Sequence, residues 1–277
     1  MGVLGGLKMV ASIVIIAAVC GFFYGVMAHQ EIAQANIDRY GCSVDHVPVT
    51  TNMVLIDRTD PYSTAQTRAF KNEISRIRAA VKPTELLVVA SIGGELPAAI
   101  NFRACSPQKG DVPGILDSLR ENRDWVETQH EYEERFQQPI EALADEMPLN
   151  TSTPNSPIIQ SVADVMEQLG PYWSRVPHRK ITLITDGMEN TAAFSQCDER
   201  NAKMRFSDVR IAVPYIRETP LDLRGVQVTM LYLTGFPHDK GLQGFEHQRF
   251  WRDLVAFYGG EVVDWVVVPN NIDVASR

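Results

Sequence analysis

Cysteine is scarce in this chain, and none of it is arranged as a ligand array. Four occur in 277 residues, Cys20, Cys42, Cys105 and Cys197, and no Cys-x-x-Cys spacing exists, so a zinc site has little support. Long basic runs are also missing, and the formal net charge is -8. Nucleic-acid binding relies on clustered Lys and Arg, so nucleic acid is not an expected partner. No Gly-x-Ser-x-Gly elbow and no Gly-rich phosphate loop appears, which leaves acyl and phosphoryl transfer without their usual machinery. There are no internal repeats and no low-complexity tract. What remains is an ordinary globular composition, 45% hydrophobic and 22% charged, able to build a core.

One long hydrophobic run is present. Residues 9–28 (MVASIVIIAAVCGFFYGVMA) carry no charge and are long enough to cross a bilayer as a helix. Val26-Met27-Ala28 also fits the cleavage site of a secretory signal peptide, but the run exceeds the usual h-region, which favours an uncleaved anchor. Gly2 suits a myristoylation signal, yet Gly6 stands where that signal needs Ser or Thr. Lys8 precedes the span, while His29, Gln30 and Glu31 follow it without Lys or Arg. The positive-inside bias therefore predicts a single-pass protein of the inner or plasma membrane, with its bulk periplasmic or extracytoplasmic. In that oxidising compartment Cys42 and Cys105, both just outside core strands, can form a bridge. An odd leftover thiol is equally consistent with no bridge.

The expected organisation is an anchor at 1–28, a linker at 29–50, one α/β domain at 51–268 and a tail at 269–277. The linker can continue as a polar helix to Tyr40, with Gly41 as its stop. Met53 to Asp57, Leu86 to Ile92, Lys180 to Thr185, Val226 to Leu233 and Glu261 to Val268 read as strands, and Ala99 to Ala104 as a short edge strand. Ser63 is an N-cap for a helix to Ala80. Glu121 to Glu146 reads as a helix with Trp125, Tyr132 and Phe136 inward, His130 on a solvated face, and a break or kink near Pro139. Ile158 to Leu169 is an amphipathic helix with Pro157 at its first position and Ser156 as its N-cap. The polar segment from Met188 to Leu223 is too long for a plain connection and should hold an element of its own beside the site. His247 to Tyr258 is a further helix, closed by Gly259-Gly260. The sum is a doubly wound, mostly parallel, six-stranded Rossmann-like sheet with helices on both faces.

Two of these strands end in the same way. Met53-Val54-Leu55-Ile56 runs into Asp57-Arg58-Thr59-Asp60-Pro61, and Ile181-Thr182-Leu183-Ile184 runs into Thr185-Asp186-Gly187. Ligands of open α/β sheets bind at the carboxyl ends of strands, so two buried strands each ending in a carboxylate predict one shared oxygen-rich site. Asp-x-Thr after the first strand, a Thr/Ser-rich loop from Thr151 to Ser156, and Thr-Asp-Gly after a later strand resemble a von Willebrand factor A domain over roughly residues 50–268. In that family the three loops form a metal-ion-dependent adhesion site, usually holding magnesium. The family's first motif is Asp-x-Ser-x-Ser; here the fifth position is Pro61 and brings no hydroxyl, and Ser63 lies two residues later.

The resemblance implies a site built from Asp57, Thr59, Ser156 (or Thr153) and Asp186. Its cation would be Mg²⁺, with Mn²⁺ or Ca²⁺ able to substitute, and it would bridge to an acidic side chain of a partner protein. Hard cations take such oxygen ligands. The other readings are a decayed site in which both Asp residues only cap loops, giving a metal-independent scaffold of an envelope assembly, and a Mg²⁺-dependent phosphoesterase. The last has Arg58 as the only cation inside the motif, and His46, His178, His238 and His247 are expected away from the site, in exposed loops or helices. The expectation is therefore a binding module and not an enzyme.

Overall fold

Thr50–Asp57 forms strand β1, and all of it but Asn52 is buried, as a strand covered on both faces must be. The computed structural model describes residues 37–93, 98–108, 122–147, 153–236 and 241–270. The remaining strands are β2 (Leu86–Ile92), β3 (Ala99–Cys105), β4 (His178–Thr185), β5 (Val226–Thr234) and β6 (Glu261–Pro269). They lie in the order β3-β2-β1-β4-β5-β6. Only β3 is antiparallel, on β2; the other four pairings are parallel. The order reverses between β1 and β4, and that switch point is where an open α/β sheet leaves a crevice beyond its strand ends.

The helices are α1 (Thr64–Ala80), α2 (Asn122–Tyr132), α3 (Gln138–Glu146), α4 (Ile158–Leu169), α5 (Pro171–Ser174), α6 (Glu199–Ala202), α7 (Phe206–Ala212), α8 (Pro214–Glu218) and α9 (Phe245–Phe257). One sheet face is covered by Phe70, Ile74 and Ile77 of α1 together with Tyr132, Phe136 and Ile140, packed on Val54, Ile56, Ile184 and Leu231. On the other face Ile159 and Val162 of α4 meet Trp251 and Leu254 of α9 over Ile181, Leu183 and Val228. Each of these large apolar side chains, once fully buried, contributes roughly 1.5–3 kcal/mol. The sheet is thus doubly wound, as its apolar runs predict.

Ser63 caps α1 in a full capping box with Gln66, as expected. The break expected near Pro139 is a five-residue π turn, Glu133–Gln137, between α2 and α3. Pro139 has no N–H to donate, and the widened turn ends just where an α-helical ladder would first require one. Tyr132 and Phe136 are buried as expected, and His130 is exposed beside Glu134. The long segment after β4 holds α6, α7 and α8.

Two local expectations are corrected. The linker helix does not run on to Tyr40: the Asp38 carboxylate accepts the N–H groups of Tyr40 and Cys42, and Ile37 and Ser43 form a bridge. A short acidic side chain here outcompetes the helix for backbone donors. Helix α4 starts one residue later than expected, with Pro157 before it and no side-chain cap from Ser156. Cys42 and Cys105 are each disulfide-bonded, and Cys197 is a free thiol. Among the described residues no helix is long and apolar enough to cross a membrane; the expected span at 9–28, the Trp125 side chain, Thr151, His238 and residues 271–277 lie outside them.

Candidate functional site

The loops beyond β1 and β4 close around one carboxylate. Asp57, at the end of β1, is 4% exposed. Its Oδ1 accepts the backbone N–H of Thr59 at 3.0 Å and the Thr59 hydroxyl at 2.6 Å. Its Oδ2 accepts the Ser156 hydroxyl at 3.1 Å and the Thr185 hydroxyl at 2.7 Å. An ionised carboxylate only accepts, so all three hydroxyls direct their protons at Asp57.

Thr59 and Ser156 also line an open cleft of about 340 Å³, together with Asp60, Thr153, Asp186 and Cys197. Asp186 is buried, and its Oδ1 accepts the Met188 N–H at 2.9 Å. Of the residues expected at the site, Asp57, Thr59 and Ser156 are therefore joined directly by hydrogen bonds, and Asp186 shares their cleft. Thr153 also lines it, and its N–H donates to the Thr59 carbonyl at 3.1 Å. Pro61 is exposed, and Ser63 is engaged as the cap of α1, so neither supplies the missing hydroxyl. Asp60 does reach the cleft.

Thr185 was not expected at the site. It is fully buried and, besides bonding Asp57, accepts the Gly187 N–H at 2.9 Å. Its position as the last strand residue before Asp186 was the available signal. Glu189 was missed as well. It is fully buried, and its Oε2 accepts the Ile159 N–H at 2.9 Å, so it and not Ser156 caps α4. The Tyr215 hydroxyl donates to its Oε1 at 3.0 Å. Burial pushes the Glu189 carboxyl up to about 8, against the lowering effect of the donated hydrogen bonds. Burial, and then the charges of Asp57 and Asp186, hold the Tyr62 hydroxyl well above its usual range. That hydroxyl donates to the Asp57 carbonyl at 2.6 Å.

His247 corrects a further expectation. It is buried and not exposed, bonded to the Tyr232 hydroxyl at 2.5 Å and packed beneath the Asp186-Gly187 turn. His46 and His178 are exposed, as expected.

As a donor set the cleft offers hydroxyl and carboxylate oxygens, which suits a hard cation that keeps several waters. Among the described residues no three of His, Cys, Asp and Glu gather into a group that could hold a metal ion by themselves. Thr59, Ser156 and Asp186 fit Mg²⁺ in kind, with one hydroxyl fewer than the family motif supplies.

A six-stranded, mostly parallel sheet in this order, with Asp-x-Thr and Thr-Asp-Gly turns converging at its switch point, is a von Willebrand factor A-like fold. No protein-family model matches the sequence, and no curated protein does. Among solved structures, the chain is similar to BatB from Bacteroides thetaiotaomicron, at 16% identity, covering 80% of this chain and 91% of that one, with a TM-score of 0.39. It is also similar to an aerotolerance-related membrane protein from Bacteroides fragilis, at 12% identity, 80% and 92% coverage and a TM-score of 0.36. A third is the manganese-loaded TRAP protein of Plasmodium vivax, at 13% identity, 81% and 70% coverage and a TM-score of 0.38. Likeness at this level says nothing about what this chain binds.

Proposed function

We propose that this protein is a membrane-anchored interaction module whose contact face lies at the carboxyl ends of its sheet strands. Thr59, Ser156 and Asp186, arranged around Asp57, would hold a Mg²⁺ ion there, with Mn²⁺ or Ca²⁺ as substitutes. The ion would supply a Lewis-acidic bridge to an acidic side chain of a partner protein. The observation that carries this reading is that Thr59 and Ser156, both bonded to Asp57, line one cleft together with Asp186. The uncharged run at 9–28 supports the anchor, with the domain on the extracytoplasmic side.

A second reading, a metal-independent scaffold, draws on the same carboxylate. Each Asp57 oxygen already accepts two hydrogen bonds from the protein, so the loops hold together without an ion. The phosphoesterase reading has less support, since the described residues lining the cleft include no Lys, Arg or His to meet phosphate oxygens. Calorimetric titration of Mg²⁺ and Mn²⁺ into the full-length protein, with Asp186→Ala as control, separates the first two. Saturable heat that the substitution abolishes is expected; a folded protein that gives none leaves the scaffold.

A further inference from the structure

Glu189 is a carboxylate buried without a counter-ion among its bonded partners, three residues beyond Asp186. Its backbone is held on both sides: its N–H donates to the Gln196 side-chain oxygen at 3.1 Å, and its carbonyl accepts the Gln196 N–H at 2.8 Å. The next residue, Asn190, forms a two-bond bridge with Ser156, at 2.7 and 2.9 Å. The carboxylate itself joins the start of α4 to Tyr215 on α8. Glu189 therefore ties the loop that carries Asp186, to which it belongs, to the start of α4, just beyond the loop that carries Ser156.

We propose that Glu189 is a proton-linked positioning residue for the cation cleft, so that cation binding and ionisation of Glu189 favour one another. This rests on the cation reading given above. The reason is electrostatic. The groups acting on Glu189 are the α4 amides and the Tyr215 hydroxyl, which favour its anion, and Asp57 of β1, which opposes it. Asp164 of α4 acts in turn on Tyr215. With an ion in the cleft, the negative field of Asp57 is offset, and the cost of ionising Glu189 falls. By linkage the cation binds more tightly once Glu189 has lost its proton. The step balances simply: the ion enters, and the Glu189 proton leaves to water.

The test is Mn²⁺ titration of the full-length protein between pH 6 and pH 9, with proton release measured in two buffers of different ionisation enthalpy. Mn²⁺ affinity of the wild type should rise on the order of tenfold more across this range than that of Glu189→Gln. Near pH 7 the wild type should release more protons per ion than the variant. Tyr215→Phe removes a donor that favours the anion, so it should move the rise to higher pH while leaving the cleft residues untouched. Equal pH dependence and equal proton release in wild type and Glu189→Gln overturn the proposal while leaving the cation site standing. No Mn²⁺ uptake by the wild type at any pH overturns both.

Discussion

Adding one methyl group at Gly187 should do more damage than its size suggests. Gly187 sits at φ +72°, in the left-handed region that costs an L-residue roughly 1–2 kcal/mol. A Cβ there would lie 2.9 Å from Trp251 Nε1, 3.1 Å from His247 Cε1 and 3.2 Å from Tyr232 Cε2. All three rings are buried, so none can swing into solvent. Forcing them apart is overpacking, at about 1–3 kcal/mol. The indole N–H also donates to the Gly187 carbonyl at 2.8 Å, and a buried donor that loses its acceptor costs about 1–3 kcal/mol more. Gly187→Ala should therefore lose about 3–8 kcal/mol in all, a fall in Tm of about 6–32 °C for a domain of this size. Gly225→Ala is the internal control. Its φ is +71°, but its Cβ would meet only Arg179 Nη2 at 3.5 Å, an ordinary contact. The control should lose only the backbone component, roughly 1–2 kcal/mol. Urea melts of the two variants side by side read the difference directly. A Gly187→Ala protein no less stable than Gly225→Ala would refute the idea that the Asp186 turn rests on a rigid aromatic floor.

Two further outcomes follow from the same loops. Thr185→Val keeps the shape of the side chain but removes the donor to Asp57 and the acceptor of the Gly187 N–H; urea denaturation should show a loss of about 1–3 kcal/mol. Glu189 gives a pH signature in the apo protein. Its carboxyl is raised from 4.5 to about 8 on folding, so between those values the folded state holds the extra proton. Stability from this group is then full below the lower value and is lost as pH rises through the upper one. Urea melts at pH 5 and pH 9 should show the wild type losing stability relative to Glu189→Gln, and an equal loss in both proteins would remove Glu189 as the cause.

The strands were legible because a parallel sheet covered on both faces writes itself as continuous apolar runs. Asp57 and Asp186 were legible for the same reason, each standing where such a run stops. His247 was misread although the signal was present: with Phe250, Trp251 and Leu254 it falls at i, i+3, i+4 and i+7, one face of α9, and all four are buried. The polar character of imidazole outweighed the periodicity, and its bond to Tyr232, a partner on β5, is what makes burial tolerable.

Ser156 shows where local reading stops. Ser-Pro before an amphipathic run has the form of a helix start, and a hydroxyl there has two uses, capping α4 or joining Asp57 across 99 residues of chain. The Ser156 hydroxyl donates to Asp57 and accepts no helix N–H, while its backbone is bridged to Asn190. The cap is supplied instead by Glu189, from a loop on the far side of β4. That exchange is invisible in either segment alone: Met188-Glu189-Asn190 reads as a polar turn, and nothing in its pattern records that its middle side chain is buried. The displaced cap is also what gives the site its charge coupling. Had Ser156 alone capped α4, no carboxyl would be buried at the start of that helix to sense an ion in the cleft.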